Sequence, residues 1–118
     1  MTDLATFDIR TFDGYRVIVA TGEIDVSNAG QLRTALQSAA PVGSEALIVS
    51  LGDINYLDSN ALAVLIEVSR RFDVSRRQFH VVCPPESACG KLLKIAGLHH
   101  ALTIHDSTEE AIAILTKT

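Results

Sequence analysis

Carboxylate and hydroxyl side chains cluster in two short segments of the sequence. The first segment is Gly22-Glu23-Ile24-Asp25, and the second runs from Gly52 to Asn60 and ends in Asp58-Ser59-Asn60. Carboxylates placed in this way could cap helices, act as an acid/base pair or present negative charge to a basic protein surface. A serine hydroxyl at a helix N-terminus could also carry a phosphate, which the helix dipole and the free backbone N–H groups would favour.

The known catalytic and metal-binding motifs are not found in the sequence. Four histidines and two cysteines lie in no zinc-type spacing, and neither a phosphate-binding glycine loop nor a nucleophile elbow is present. Asp25 and Asp58 could form an acid/base pair, but two helix caps at one edge explain them more simply. We therefore predict no enzymatic activity, no cofactor and no metal. Cys83 and Cys89 are too few for a disulfide framework, and Cys83 is interpreted as a small buried residue.

Length and composition indicate one soluble globular domain over residues 1–118. Hydrophobic residues make up 47% of the chain and charged residues 20%. The sequence contains neither an apolar run long enough for a membrane span nor a signal peptide, so we expect a cytoplasmic protein without membrane insertion. The net charge of −4 comes from an excess of acids up to Asn60. This argues against nucleic acid as the main partner and suits a basic protein surface, although solubility alone explains it equally well.

Strand and helix patterns alternate along the chain and position the two acidic segments. Phe7–Phe12 and Tyr15–Gly22 read as strands, and Asp13-Gly14 between them predicts an antiparallel hairpin. Further strands are predicted over Ala46–Leu51, Gln78–Cys83 and Leu102–His105, and helices over Ser27–Ala40, Ser59–Phe72, Glu86–Ala96 and Ser107–Lys117. The order β-β-α-β-α-β-α-β-α predicts an α/β fold with a mixed, mostly parallel sheet.

The predicted topology brings the two acidic segments to one edge of the sheet. Parallel strands end at the same edge, where ligands and partners of open α/β sheets bind. We therefore expect Asp25 and Asp58-Ser59-Asn60 to share one surface. The helix that begins near Ser59 is apolar on two sides, so one of its faces is expected to be partly exposed for a partner. The residues of that face are Ala61, Val64, Val68 and Phe72.

The chain resembles the STAS domain, and within it the bacterial anti-sigma factor antagonists. Gly22-Glu23-Ile24-Asp25 is similar to the Gly-Glu-Leu-Asp segment of that family. The segment Tyr56–Leu62 is similar to its Asp-Ser-Ser/Thr-Gly-Leu segment, where a kinase-type anti-sigma factor phosphorylates a hydroxyl. Ile95–Leu98 matches a segment near the end of the third helix. The resemblance extends from Asp8 to Leu115.

The resemblance implies a partner-switching mechanism. An unphosphorylated antagonist binds a serine-kinase anti-sigma factor and frees the sigma factor, whereas the phosphorylated antagonist dissociates, and ATP belongs to the partner. Ser59 is then the expected site of phosphorylation. The expected partner-binding residues are Glu23, Asp25, Asp58, Ser59, Asn60, Ala61 and Val64.

Asn60 and Ala61 depart from the family pattern. The family usually has two adjacent hydroxyls followed by glycine, and here Asn60 replaces the second hydroxyl and Ala61 the glycine. If the phosphorylated position aligns with Ser59, the switch is retained. If it aligns with Asn60, the protein cannot be phosphorylated there, and constitutive binding or another form of regulation is expected. A STAS accessory subunit of an ABC-type lipid transport system is the alternative function.

Overall fold

Asp13 and Gly14 form the turn of an N-terminal β-hairpin, as the sequence predicts. They join β1 (Ala5–Phe12) to β2 (Tyr15–Ile24), and the two strands pair antiparallel. Asp13 and Gly14 have φ angles of 50° and 85°, the left-handed values that a two-residue type I′ turn needs at both positions. This turn fixes the register of the hairpin.

The computed structural model describes residues 4–40, 44–97 and 100–117. Leu98, the last residue of the third family-like segment, lies outside them. After the hairpin, helices and strands alternate in the predicted order. They are α1 (Ala29–Ala39), β3 (Ala46–Leu57), α2 (Ser59–Val74), β4 (Gln78–Val82), α3 (Ala88–Ala96), β5 (Thr103–His105) and α4 (Thr108–Thr116).

The five strands form one sheet in the order β1-β2-β3-β4-β5. β1 and β2 are antiparallel, and each later neighbouring pair is parallel. Because β2 to β5 run in one direction, their carboxyl ends point towards one edge of the sheet. The predicted mixed, mostly parallel α/β fold is confirmed.

Helices cover both faces of the sheet and create two cores. Residues of α1, α2 and α3 pack with one face in the larger core. On the other face, Ala111, Ile112 and Leu115 of α4 pack against a smaller cluster that includes Val17 and Ile48. Since α2 lies against both α1 and the sheet, it is covered on two sides.

β3 continues to Leu57, past the predicted end at Leu51. The glycine, aspartate and asparagine of residues 52–57 predict a loop, but this segment pairs with the end of β2. Two register irregularities accommodate it, one before and one directly after Gly22, and such bulges let loop-type residues remain within a strand. The predicted loop is therefore wrong. The longer strand brings Leu57 level with the end of β2.

Side-chain and glycine caps define the ends of the last two helices. Ser87 caps α3 by accepting a hydrogen bond from Gly90 N–H at 3.1 Å, so this helix starts later than predicted. Gly97 has a φ of 68° and ends α3, which confirms the predicted C-cap. The predicted cap of α4 is also confirmed, since the Ser107 hydroxyl accepts from Glu110 N–H at 3.1 Å.

Cys83 and Cys89 form a disulfide that the sequence does not lead us to expect. Cys83 is buried, as predicted, but it is not an isolated thiol. The short segment between β4 and α3 folds back, so the first turn of the helix lies beside the end of the strand and the two Cα atoms are 5.9 Å apart. Sequence spacing alone cannot reveal this fold-back.

Candidate functional site

β2 and β3 end side by side and bring the two acidic segments together. Ile24 lies opposite Leu57 in the sheet, and Asp58 N–H donates to Ile24 C=O at 3.2 Å. Asp25 and Asp58 follow these two strand ends directly. The structure therefore places Asp25 and the start of α2 at one edge, as the topology predicts.

The loop after β2 is held by the Asp25 carboxylate. Its Oδ1 accepts from Ser27 N–H at 2.8 Å and also from the Ser27 hydroxyl. The hydroxyl bond, followed by the backbone bond, lowers the pKa of Asp25 below its ordinary value, because both bonds stabilise the charged form. Asp25 therefore presents a stable negative charge at this edge.

Asn28 is a buried residue of this loop that sequence reasoning does not identify. Its Oδ1 accepts from Asp25 N–H at 2.8 Å, and its Nδ2 donates to Glu23 C=O at 2.9 Å. The side chain is 4% exposed and is the N-cap residue of α1, although it makes no side-chain cap bond. Asn28 fixes the backbone on both sides of Ile24. An asparagine before a helix is usually interpreted as a cap, so its sequence signal is misleading.

Asp58 caps α2. One carboxylate oxygen, Oδ1, accepts from Asn60 N–H at 2.9 Å and from Ala61 N–H at 3.3 Å. The cap interpretation of Asp58 is thus correct, whereas Asp25 organises a turn instead of capping α1. Asp58 satisfies two of the backbone donors that a helix N-terminus leaves without intrahelical partners.

Ser59 is the first residue of α2, and its side chain is exposed. The next residue, Asn60, is also exposed and donates from Nδ2 to the second carboxylate oxygen of Asp58 at 3.3 Å. The Ser59 hydroxyl is therefore accessible to a protein that approaches the start of the helix.

The expected apolar face of α2 is not exposed, so that expectation is wrong. Ala61 is 0% exposed and Val64 is 2% exposed, and Val68 and Phe72 are buried as well. The cause is the position of α2 against both α1 and the sheet, which covers two apolar stripes at once. Ala61 and Val64 thus support the start of the helix from inside and do not present a surface to a partner.

Two exposed apolar side chains that the sequence does not single out lie beside the acidic residues. Val26 is 72% exposed in the loop after β2. Tyr56 is 52% exposed and lies opposite Glu23 in the sheet register. We define the carboxyl-edge surface as Glu23, Asp25, Val26, Tyr56, Asp58, Ser59 and Asn60. Val26 and Tyr56 are apolar residues among carboxylates. This composition fits a protein partner whose contact surface is apolar at its centre and basic at its rim.

The histidines form a separate feature on β4 and β5. His80 Nδ1 and His105 Nε2 are 2.8 Å apart, and His80 Nε2 is 3.0 Å from Gln78 Oε1. Burial, and secondarily the charge on His105, lowers the pKa of His80 because both disfavour its protonated form. Within the described part of the chain, no three His, Cys, Asp or Glu residues are grouped to hold a metal.

No helix within residues 4–40, 44–97 and 100–117 is both long and apolar enough to cross a membrane.

Comparison with known proteins shows similarity over most of the chain. The family model of the STAS domain matches residues 6–111. An anti-sigma factor antagonist from Mycobacterium paratuberculosis is 22% identical, with a TM-score of 0.78 over 93% of this chain and 92% of that chain.

Two further solved structures share the fold. The anti-sigma factor antagonist SpoIIAA in its unphosphorylated form is 19% identical, with a TM-score of 0.74 over 96% of this chain and 98% of that chain. SpoIIAA of Bacillus has also been solved in a phosphorylated form. A sulfate transporter family protein from Wolinella succinogenes is 16% identical, with a TM-score of 0.70 over 86% of this chain and 87% of that chain.

Proposed function

Because the chain belongs to the STAS domain family, we propose that it is an anti-sigma factor antagonist and that its carboxyl-edge surface binds an anti-sigma factor of the serine-kinase type. Binding would free a sigma factor and so regulate transcription in the cytoplasm. The partner would bind ATP and phosphorylate Ser59, and the phosphorylated chain would then dissociate from it. The protein acts by binding and not by catalysis.

The observation that carries this proposal is the exposed Ser59 hydroxyl at the first position of α2. Ser59 follows the exposed Tyr56 by three residues, and the strand that leads to it ends beside the strand that leads to Asp25. SpoIIAA, a solved protein of this fold, occurs in phosphorylated and unphosphorylated forms, which supports the proposal that phosphorylation also controls this chain.

A phosphate on Ser59 would change the surface and leave the fold intact. It would add about 1.5–2 negative charges next to Asp58 and Asp25. The helix dipole and the backbone N–H groups of the first turn favour such a charge, so the domain should stay folded. A partner that fits the unmodified edge would meet like-charge crowding and added bulk, and its affinity should fall.

Asn60 makes Ser59 the only hydroxyl in the Asp58-Ser59-Asn60 segment. The Asn60 amide bonds to Asp58 and cannot accept a phosphate in place of a second hydroxyl. We therefore assign the switch to Ser59 alone.

The test combines two Ser59 variants with the cognate anti-sigma kinase. Ser59→Asp should weaken partner binding with little change in melting temperature, and Ser59→Ala should bind but resist phosphorylation. Incubation with ATP followed by mass spectrometry locates the phosphate. Thr108→Asp is the matched control, because Thr108 is the first residue of α4 on the opposite face of the sheet and receives the same charge.

Phosphate on another residue, or equal loss of binding in Thr108→Asp, contradicts the Ser59 assignment. If an active kinase adds no phosphate, the result favours constitutive binding or a second candidate function, a STAS accessory subunit of a membrane transport system such as an ABC-type lipid transporter. The similarity to a sulfate transporter family protein is the observation that supports this candidate.

A further inference from the structure

β1 is the outermost strand of the described sheet, so one of its two backbone edges faces away from β2. Glu23 N–H donates to Leu4 C=O at 2.9 Å, and hydrogen-bonded pairs alternate along an antiparallel ladder from there. Even-numbered residues from Leu4 to Phe12 therefore bond to β2. Odd-numbered residues from Ala5 to Thr11 point their N–H and C=O groups away from it.

The outer edge of β1 carries exposed apolar side chains. Ile9 is 55% exposed and Phe12 is 42% exposed. Asp8 and Arg10, on either side of Ile9, are exposed and have opposite charges. An outward strand edge with exposed apolar residues is a template for pairing with a further strand.

We propose that two copies of the chain pair antiparallel through β1, about a two-fold axis at Ile9. The outward N–H and C=O groups of Ile9 then bond to those of Ile9 in the second copy, and Phe7 pairs with Thr11. Asp8 lies opposite Arg10 of the second copy, and Arg10 lies opposite its Asp8. These are non-hydrogen-bonded pairs, in which cross-strand side chains approach most closely.

Among the antiparallel registers with a two-fold axis on β1, charge complementarity favours the one centred on Ile9. A two-fold axis at Asp8 would place two Asp8 carboxylates opposite each other, and an axis at Arg10 would place two guanidinium groups together. Like charges directly opposite each other destabilise a strand pair. Only the axis at Ile9 pairs Asp8 with Arg10, and it does so twice.

A groove between β1 and α1 lies along the same edge. Ala5, Phe7, Gly30 and Thr34 are among the residues that line it. In the proposed register, Thr11 of the second copy lies beside Phe7 and enters this groove. The contact is short compared with standard interfaces of about 1,200–2,000 Å², so the dimer should dissociate on dilution.

Charge reversal tests the pairing, with sedimentation velocity over a dilution series as the measurement. Asp8→Arg and Arg10→Asp each place like charges opposite one another and should raise the dimer dissociation constant on the order of tenfold. The double variant Asp8→Arg/Arg10→Asp restores opposite charges and should dimerise like the wild type. A double variant as weak as the single variants would overturn the proposal, as would a wild-type chain that is monomeric at every concentration.

Ile9→Pro provides a second test that leaves the hairpin intact. Proline removes an N–H group that β2 does not use, and outer strand edges tolerate proline where that group faces solvent. The variant should be monomeric with an unchanged far-UV circular dichroism spectrum. A folded Ile9→Pro variant that dimerises like the wild type contradicts the β1 contact. These readouts are independent of the Ser59 switch, so either proposal can fail alone.

Discussion

The side chains of two residues, Asn28 and Asp58, hold the backbone of the carboxyl-edge surface in place. Asn28 bonds to the backbone of Asp25 and Glu23, and Asp58 bonds to the first turn of α2. Each side chain satisfies backbone groups that would otherwise need water, so the loop and the helix start are pre-organised. Ser59 can then be exposed without a structural role of its own.

We expect His80 to make the stability of the domain dependent on pH. Its pKa in the folded state lies below the ordinary value of 6.5, because burial and then His105 disfavour the charged form. The unfolded chain therefore takes up the proton first as the pH falls. The stability that neutral His80 contributes is complete above pH 6.5 and is lost as the pH falls from there through the lowered pKa.

His80→Gln should reduce this loss of stability on acidification. Glutamine keeps a polar side chain at the site but takes up no proton in this range. Urea unfolding at a series of pH values from about 8 to about 5 measures the free energy of unfolding for both proteins. The wild type should lose more stability than the variant over this range. Parallel curves for the two proteins would show that His80 does not contribute.

Gly22 determines the backbone path near the end of β2. It has a φ of 98° and lies at the irregular part of the β2–β3 register. A Cβ atom there would collide with the backbone carbonyl oxygen of Leu4. Gly14, at φ 85°, has the same kind of backbone, but a Cβ atom would have no neighbour within 4 Å.

The two glycines form a matched pair of variants. Gly14→Ala should cost about 1 kcal/mol in the free energy of unfolding, from backbone strain alone. Gly22→Ala adds a backbone collision and should cost more than about 3 kcal/mol. Chemical denaturation measures both values. Equal losses would mean that β1 moves away from Gly22 at little cost.

Element order and the hairpin turn can be predicted from the sequence because they depend on local patterns. Asp13-Gly14 specifies its turn, and alternating periodicities specify the strands and helices. The end of β3 cannot be predicted, because residues 52–57 have loop-type composition and become a strand only through pairing with β2. The prediction that one apolar face of α2 is exposed is wrong for a similar reason, because the burial of that helix depends on its packing against α1.

In the candidate site, too, some features could be predicted from the sequence and others could not. Its carboxylates could be predicted because parallel strands end together. The exposure of Val26 and Tyr56 and the buried position of Asn28 follow from the exact loop path, which sequence spacing does not contain. The Cys83–Cys89 disulfide likewise depends on the fold-back before α3.

The charged residues at the two ends of α2 differ across the molecule. Asp58 lies at the start of α2 and Asp25 in the adjacent loop, whereas Arg70, Arg71 and Arg76 outnumber Asp73 at the far end of that helix or just beyond it. This distribution follows the dipole of α2, which favours anions at its start and cations at its end. A basic partner surface should therefore be steered towards the carboxyl-edge surface.

Binding of an anti-sigma factor to the carboxyl-edge surface is tested most directly by nuclear magnetic resonance. The labelled chain is titrated with its unlabelled cognate anti-sigma factor, and amide chemical shifts are followed residue by residue. We predict that the largest changes fall on Glu23–Ser27 and Tyr56–Ala63. Largest changes on α3, on α4 or along β1, with the two predicted segments unaffected, would contradict the proposed docking surface.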